Sequence, residues 1–199
     1  SKIEEFDEFW NWLKECKKVK FQEVTALPAG WFKDGMAYVA YVDHFAKDFT
    51  SFTKRLDYLH ELGVDIIWLL PCLDSPMVDQ GFDICDFEKV RPSLQGEDGD
   101  QAFDKFLSRA TKLGIRVIFD VTVNHCSNEH PWFKEAASSR NSAKRDWFFW
   151  SDNEERFSKA RLLFKGMVES NWEKSEETNQ YYFHRFYPCQ PDLNYQNPQ

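Results

Sequence analysis

Apolar positions along this chain follow two periods in alternation. Phe49, Phe52, Leu56, Leu59 and Leu62 fall on one face of a helix, and Gly63 stands where a helix terminates with positive φ. Directly after it, "VDIIWLLP" (Val64 to Pro71) is apolar almost without interruption, which predicts a parallel strand covered on both faces. The pair then repeats. Gln101 to Leu113 carries helical spacing and stops at Gly114, and "IRVIFDVTV" (Ile115 to Val123) reads as the next buried strand. Upstream, "MAYVAYVDHF" (Met36 to Phe45) has the small and β-branched content of a first strand. Ile3, Phe6, Phe9, Trp10 and Leu13 predict an amphipathic helix over Ile3 to Cys16, followed by a loop at Pro28 and Gly30.

Strand, helix, Gly, strand, helix, Gly, strand is a βαβαβ order and places the chain in the α/β class with parallel strands. Periodicity alone allows a doubly wound open sheet or a (β/α) barrel. The absence of GxGxxG after the first strand and the long loops after the second and third favour the barrel. After His125 the alternation ceases. The remaining residues, rich in Trp, Phe, Asn and Ser, suit an insertion with short elements of its own. The expected organisation is a helical extension over 1–30, the first part of a barrel over 31–125, and an inserted domain over 126–199.

Charge and cysteine content narrow the function. The formal charge of -8, from 33 acidic against 25 basic residues, repels phosphate backbones and argues against nucleic-acid binding. No run approaches the roughly 20 apolar residues that span a bilayer, and "SKIEEFDEFW" lacks the order of a signal peptide. The five cysteines are scattered, with no CxxC pair, and fit a reducing compartment. The expected location is cytoplasmic. Aromatic residues make up 17%, many in polar stretches such as "RDWFFWSDNEERF" and "NQYYFHRFY". Rings set among polar groups suit the C–H faces of sugars as well as a core.

The candidate chemistry sits where "VIFDVTVNHCSNEHPWF" turns from an apolar strand to a polar stretch. Parallel folds keep their active sites at that end of the strands, and Asp120, Asn124 and His125 are presented there. "DVTVNH" resembles the segment that ends the third barrel strand in the α-amylase family. "DQGFDICDF" (Asp79 to Phe87) resembles the family's loop after the second strand, and "QPDLNYQNP" (Gln190 to Pro198) is similar to an element of its oligo-1,6-glucosidase and trehalose synthase-like branch. "EHPWFKEA", "RDWFFWSD" and the segment from "SNWE" to "QPDLN" look like that branch's inserted third-loop domain. The resemblance covers about Trp31 to Pro198 and implies the first three βα units of a TIM (β/α)8 barrel, an incomplete barrel, with an insertion after the third strand.

The resemblance implies a retaining reaction on α-glucosidic bonds, with a carboxylate nucleophile and a carboxylic acid about 5 Å apart. In the family these come from later strands, and their segments are not found up to Gln199. No catalytic residue is therefore assigned. The chain reads as the N-terminal portion of an α-glucosidase, glucosyltransferase or trehalose synthase-like enzyme that requires the rest of the barrel. Alone it is expected to be inactive and prone to aggregate. By the same resemblance Asp79 and His125 contact hydroxyls of the reacting glucose, and Phe82 stacks on that ring. Asp79 offers carboxylate acceptors, and His125 a neutral imidazole with one donor and one acceptor. Phe82 departs from the family's usual Tyr and lacks its hydroxyl. Asp120 matches an aspartate that holds an active-site arginine, and a buried carboxylate there needs such a cation.

Asn124 supports the same strand end. With Asp192 it offers too few oxygens for a hard cation, and "YVDHFAKDFTSF" lacks the acidic, glycine-containing metal loop common in the branch. Neither a metal nor a cofactor is expected. His44, His60, His130 and His184 have no paired-ligand spacing. The competing class is a non-catalytic carbohydrate-binding or scaffold protein on the same fold; substitution of the nucleophile or acid downstream would decide for it.

Overall fold

The computed structural model describes residues 30–198, so the helix expected over Ile3 to Cys16 lies outside the described residues. Gly35–Asn197 form one unit. The residues before it turn at Gly30, whose carbonyl accepts from Lys33 N–H at 2.9 Å. Three parallel strands, β1 (Ala37–Ala40), β2 (Ile66–Leu69) and β5 (Arg116–Phe119), lie in the order β1-β2-β5. Ala40, Leu69 and Phe119 share one register row.

Helices α1 (Val42–Ala46) and α2 (Phe49–Glu61) connect β1 to β2, and α3 (Ala102–Lys112) precedes β5. Asp48 caps α2 by accepting from Ser51 N–H at 2.7 Å. The helix ends where Gly63, at φ 86, lets Val64 N–H reach back to the Leu59 carbonyl. Gly114 ends α3 in the same way, with Ile115 N–H on Ala110. Phe49, Phe52, Leu56 and Leu59 of α2 and Phe106 of α3 are completely buried, and the Phe106 ring lies 5.3 and 5.0 Å from Phe49 and Phe52. Each such side chain stabilises the fold by about 1.5–3 kcal/mol relative to exposure. Ile67 and Leu69 join this core from β2.

The expectations are corrected in four places. Met36 to Phe45 is a short strand, Ala37–Ala40, that gives way after extended Tyr41 to helix α1. The third strand ends at Phe119, before Asp120. The long loop expected after the second strand contains an antiparallel pair, β3 (Leu73–Asp74) with β4 (Asp86–Val90). Finally, among the described residues β2 is covered on one face only: Val39, Trp68 and Ile118, which form one register row, are 49%, 41% and 38% exposed. Residues 126–199 contain α4 (Pro131–Ser138) and an antiparallel sheet of β6 (Trp150–Ser151), β7 (Trp172–Ser175) and β8 (Gln180–Phe183), ordered β6-β8-β7. Phe133, Phe148 and Tyr182 form its core, with Trp150 stacked 5.7 Å from Phe133.

Candidate functional site

A buried carboxylate and a glycine turn set the loop that carries Asp79 and Phe82. Asp83 is completely buried, and its carboxylate accepts from Ser75 Oγ, Val78 N–H and Asp79 N–H at 3.0, 2.9 and 3.1 Å. A buried carboxylate with three donors fixes its loop strongly. Gly81, at φ 94, allows the reversal that brings Phe82 N–H to the Asp79 carbonyl at 2.9 Å; a Cβ there would meet Pro71 Cβ and O at 3.1 Å. Buried Arg91 braces the same turn from beneath, donating to Asp43 at 3.0 Å and to Met77 Sδ.

His125 enters from beyond β5. It is buried, and its Nε2 lies 3.1 Å from the Phe82 carbonyl while Asn124 Nδ2 approaches Nδ1 at 3.3 Å. The two contacts fit one neutral tautomer, with Nε2–H donating to Phe82 and Nδ1 accepting from Asn124. Burial pushes the pKa of His125 below 6.5, opposed by the Phe82 carbonyl and the charges of Asp79 and Asp83. Asn124 also donates to Asp192 Oδ1 at 3.2 Å, which accepts from Arg185 N–H at 2.9 Å. Burial raises the Asp192 pKa from 3.8 to about 6.

Asp79 is half-buried, and one of its oxygens accepts from Gln190 Nε2 at 2.8 Å. Gln190 is completely buried, and its own oxygen accepts from Tyr187 N–H at 3.1 Å. A cavity of about 1040 Å³ includes Asp79, Tyr187 and Cys189 in its wall but not Phe82 or His125. Tyr187 stacks on Phe164 at 4.6 Å, and Phe186 lies 5.1 Å from His125. Phe82 is half-buried, and among the described residues no aromatic ring packs against it.

Asp79, Phe82 and His125 are thus linked by direct hydrogen bonds into one cluster. Asn124 joins it through His125. Asp120 follows β5, its N–H on the Leu69 carbonyl at 3.1 Å, but it is half-buried and not buried as expected. Its carboxylate makes no hydrogen bond or ion pair among the described residues. Sequence reasoning assigned no role to Asp83, Arg91, Gln190 or Phe186. Asp83, Phe186 and Gln190 stood inside quoted motifs, whereas Arg91 had no signal beyond being a cation before a proline. Among the described residues no group of three or more His, Cys, Asp or Glu is placed to hold a metal, and no helix is long and apolar enough to cross a membrane.

The α-amylase catalytic-domain model matches residues 30–199. The trehalose synthase/amylase of Mycobacterium tuberculosis is 42% identical over 187 residues, covering 89% of this chain and 31% of its own. Oligo-1,6-glucosidase of Saccharomyces cerevisiae is 40% identical over 183 residues, covering 84% and 30%. Among solved structures, a MutB mutant in complex with the substrate sucrose matches with a TM-score of 0.74 at 35% identity, covering 86% of this chain and 32% of that one. The chain therefore spans about a third of the length of these relatives.

Proposed function

The chain belongs to the α-amylase family, and from that premise we propose that it supplies the glucose-binding rim of a retaining α-glucoside-active enzyme. The relatives named above are a trehalose synthase/amylase and an oligo-1,6-glucosidase, and the MutB structure holds sucrose, so short α-glucosides are the proposed substrate class. We read the three-stranded parallel sheet as the opening part of a barrel and residues 126–199 as a domain inserted at its rim.

The observation that carries the reading is the linkage of Asp79, Phe82 and His125 at the C-terminal end of the parallel strands. In this reading the Asp79 oxygen not used by Gln190 accepts from a sugar hydroxyl. The open face of Phe82 stacks on the C–H face of the ring. His125 holds the Phe82 backbone, and a sugar oxygen reaching its Nε2–H competes with the Phe82 carbonyl. Direct contact by His125 therefore requires the imidazole to exchange one acceptor for another.

The test is calorimetric titration of the full polypeptide with methyl α-D-glucoside, alongside release of p-nitrophenol from p-nitrophenyl α-glucoside. Saturable binding that is lost in Asp79→Ala supports the reading. No binding and no turnover by a folded full polypeptide would refute it. Binding without turnover would favour the non-catalytic alternative.

A further inference from the structure

Tyr41 has no role in the reading so far, yet the strand register carries it into the same rim. Ala40, Leu69 and Phe119 form the last paired row of the parallel sheet. Leu70 N–H then bonds the Ala40 carbonyl at 3.0 Å and Asp120 N–H bonds the Leu69 carbonyl at 3.1 Å. The next row is therefore Tyr41, Leu70 and Asp120. Tyr41 keeps extended backbone, φ -76 and ψ 137, so the pleat alternation continues through it. Ala40 and Leu69 face the helices, and Phe119 packs against the same core. Alternation then turns Tyr41 and Asp120 to the opposite face, the one that exposes Val39, Trp68 and Ile118.

The electrostatic surroundings agree with that placement. Burial first, then the charges of Asp79, Asp120 and Asp43, push the Tyr41 phenol above its ordinary 10.0, opposed by Arg91. The phenol keeps its proton at neutral pH and remains a donor. Its hydroxyl makes no hydrogen bond among the described residues, and the ring is held from one side by His44, 5.0 Å away. A half-buried phenol with an uncommitted O–H, in the field of the Asp79, Asp120 and Asp43 carboxylates, is suited to a polyhydroxyl ligand that both donates and accepts.

Resting on the glucoside reading of this rim, we propose that Tyr41 is a further sugar-contacting residue, its hydroxyl donating to an oxygen of the glucoside held between Asp79 and Asp120. Tyr41→Phe removes only that donor. In the full polypeptide, Kd for methyl α-D-glucoside should rise about 2- to 10-fold, the range of one neutral hydrogen bond, with the melting temperature unchanged. Should the Phe variant fail to fold, 3-fluorotyrosine at position 41 gives a second readout: its fluorine resonance should shift with saturation by the sugar. Binding by the parent protein with equal affinity in Tyr41→Phe, or a fluorine signal indifferent to the sugar, would overturn the role of Tyr41 and leave the glucoside reading intact. Absence of binding in the parent protein would overturn both.

Discussion

His125 and Phe82 are joined across 43 residues of sequence, with Nε2 of the imidazole 3.1 Å from the Phe82 carbonyl oxygen. The contact ties the end of the third parallel strand to the loop after the second. It fixes the backbone beneath the ring proposed to stack on glucose. His125→Leu fills similar volume but offers no donor, leaving a part-buried carbonyl without its partner and Asn124 without an acceptor. The expected cost is about 1–3 kcal/mol of stability. Chemical denaturation should show it as a lower midpoint, and calorimetry should show weaker glucoside binding; an unchanged midpoint would mean the contact is incidental.

Gln190 performs a comparable service for Asp79 from a much greater distance in sequence, 111 residues. Its amide donates to Asp79 while its oxygen receives Tyr187 N–H, so a single buried side chain orients both the carboxylate proposed to bind the sugar and a wall of the adjoining cavity. Gln190→Leu breaks both bonds. We expect a loss of about 1–3 kcal/mol and a several-fold rise in Kd for methyl α-D-glucoside. Gln190→Glu should be worse for binding, because it sets a second carboxylate against Asp79. Equal affinities for the two variants would argue against this electrostatic account.

Gly81 makes the turn between Asp79 and Phe82 possible. At φ 94 any side chain is strained, and the added Cβ of Gly81→Ala would press on the Pro71 side chain and carbonyl at 3.1 Å. The expected destabilisation is about 1–3 kcal/mol. Because the strain lies within the cluster, binding should weaken along with stability. A variant with parental melting temperature and affinity would show that the turn has another way to close.

These contacts explain which parts of the candidate site were legible in the sequence. Helices α2 and α3 announced themselves through Phe49, Phe52, Leu56 and Phe106 and ended at the two expected glycines, since a local period and a local stop suffice for an amphipathic helix. Asp79, Phe82 and His125 were legible through motifs. Their supports were not: Arg91 and Gln190 act across long sequence separations, and nothing local distinguishes them from solvated polar residues. Tyr41 was hidden inside a stretch that read as strand, where the register row that places it appears only once three strands are paired. The open face of β2 was misread for a related reason, since an unbroken apolar run does not say what covers it.

Asp192 makes stability depend on pH in a direction opposite to a salt-bridged carboxylate. Its folded-state pKa of about 6 lies above the ordinary 3.8, with burial as the leading cause. A raised value favours the protonated form in the folded state. The contribution is complete below pH 3.8 and is lost as pH rises through about 6. The separation corresponds to about 3 kcal/mol. Asp192→Asn keeps an oxygen for Arg185 N–H and removes the charge, so it should gain stability over the parent progressively between pH 4 and 7, on the order of the separation just given. Buried His125, whose pKa is depressed, acts in the other direction in both proteins, losing stability as pH falls below about 6.5. Subtracting the two melting curves isolates Asp192, and a difference that does not grow with pH would remove it as the cause.

The row Val39, Trp68 and Ile118 exposes apolar surface in the middle of a parallel sheet, where both faces are ordinarily covered. Among the described residues β1 and β5 are also edge strands, each with an unpaired side. Apolar faces and open edges together favour self-association. The 199-residue polypeptide by itself should therefore sediment as concentration-dependent oligomers and bind anilinonaphthalene sulfonate. Val39→Thr combined with Ile118→Thr keeps β-branched shape on the strands while placing hydroxyls on the open face. That double variant should shift sedimentation toward monomer and reduce dye fluorescence several-fold, with helix content unchanged. A parent chain that is monomeric at high concentration and leaves the dye dark would mean that this face is covered by residues outside the described range, and the open-sheet account would fall.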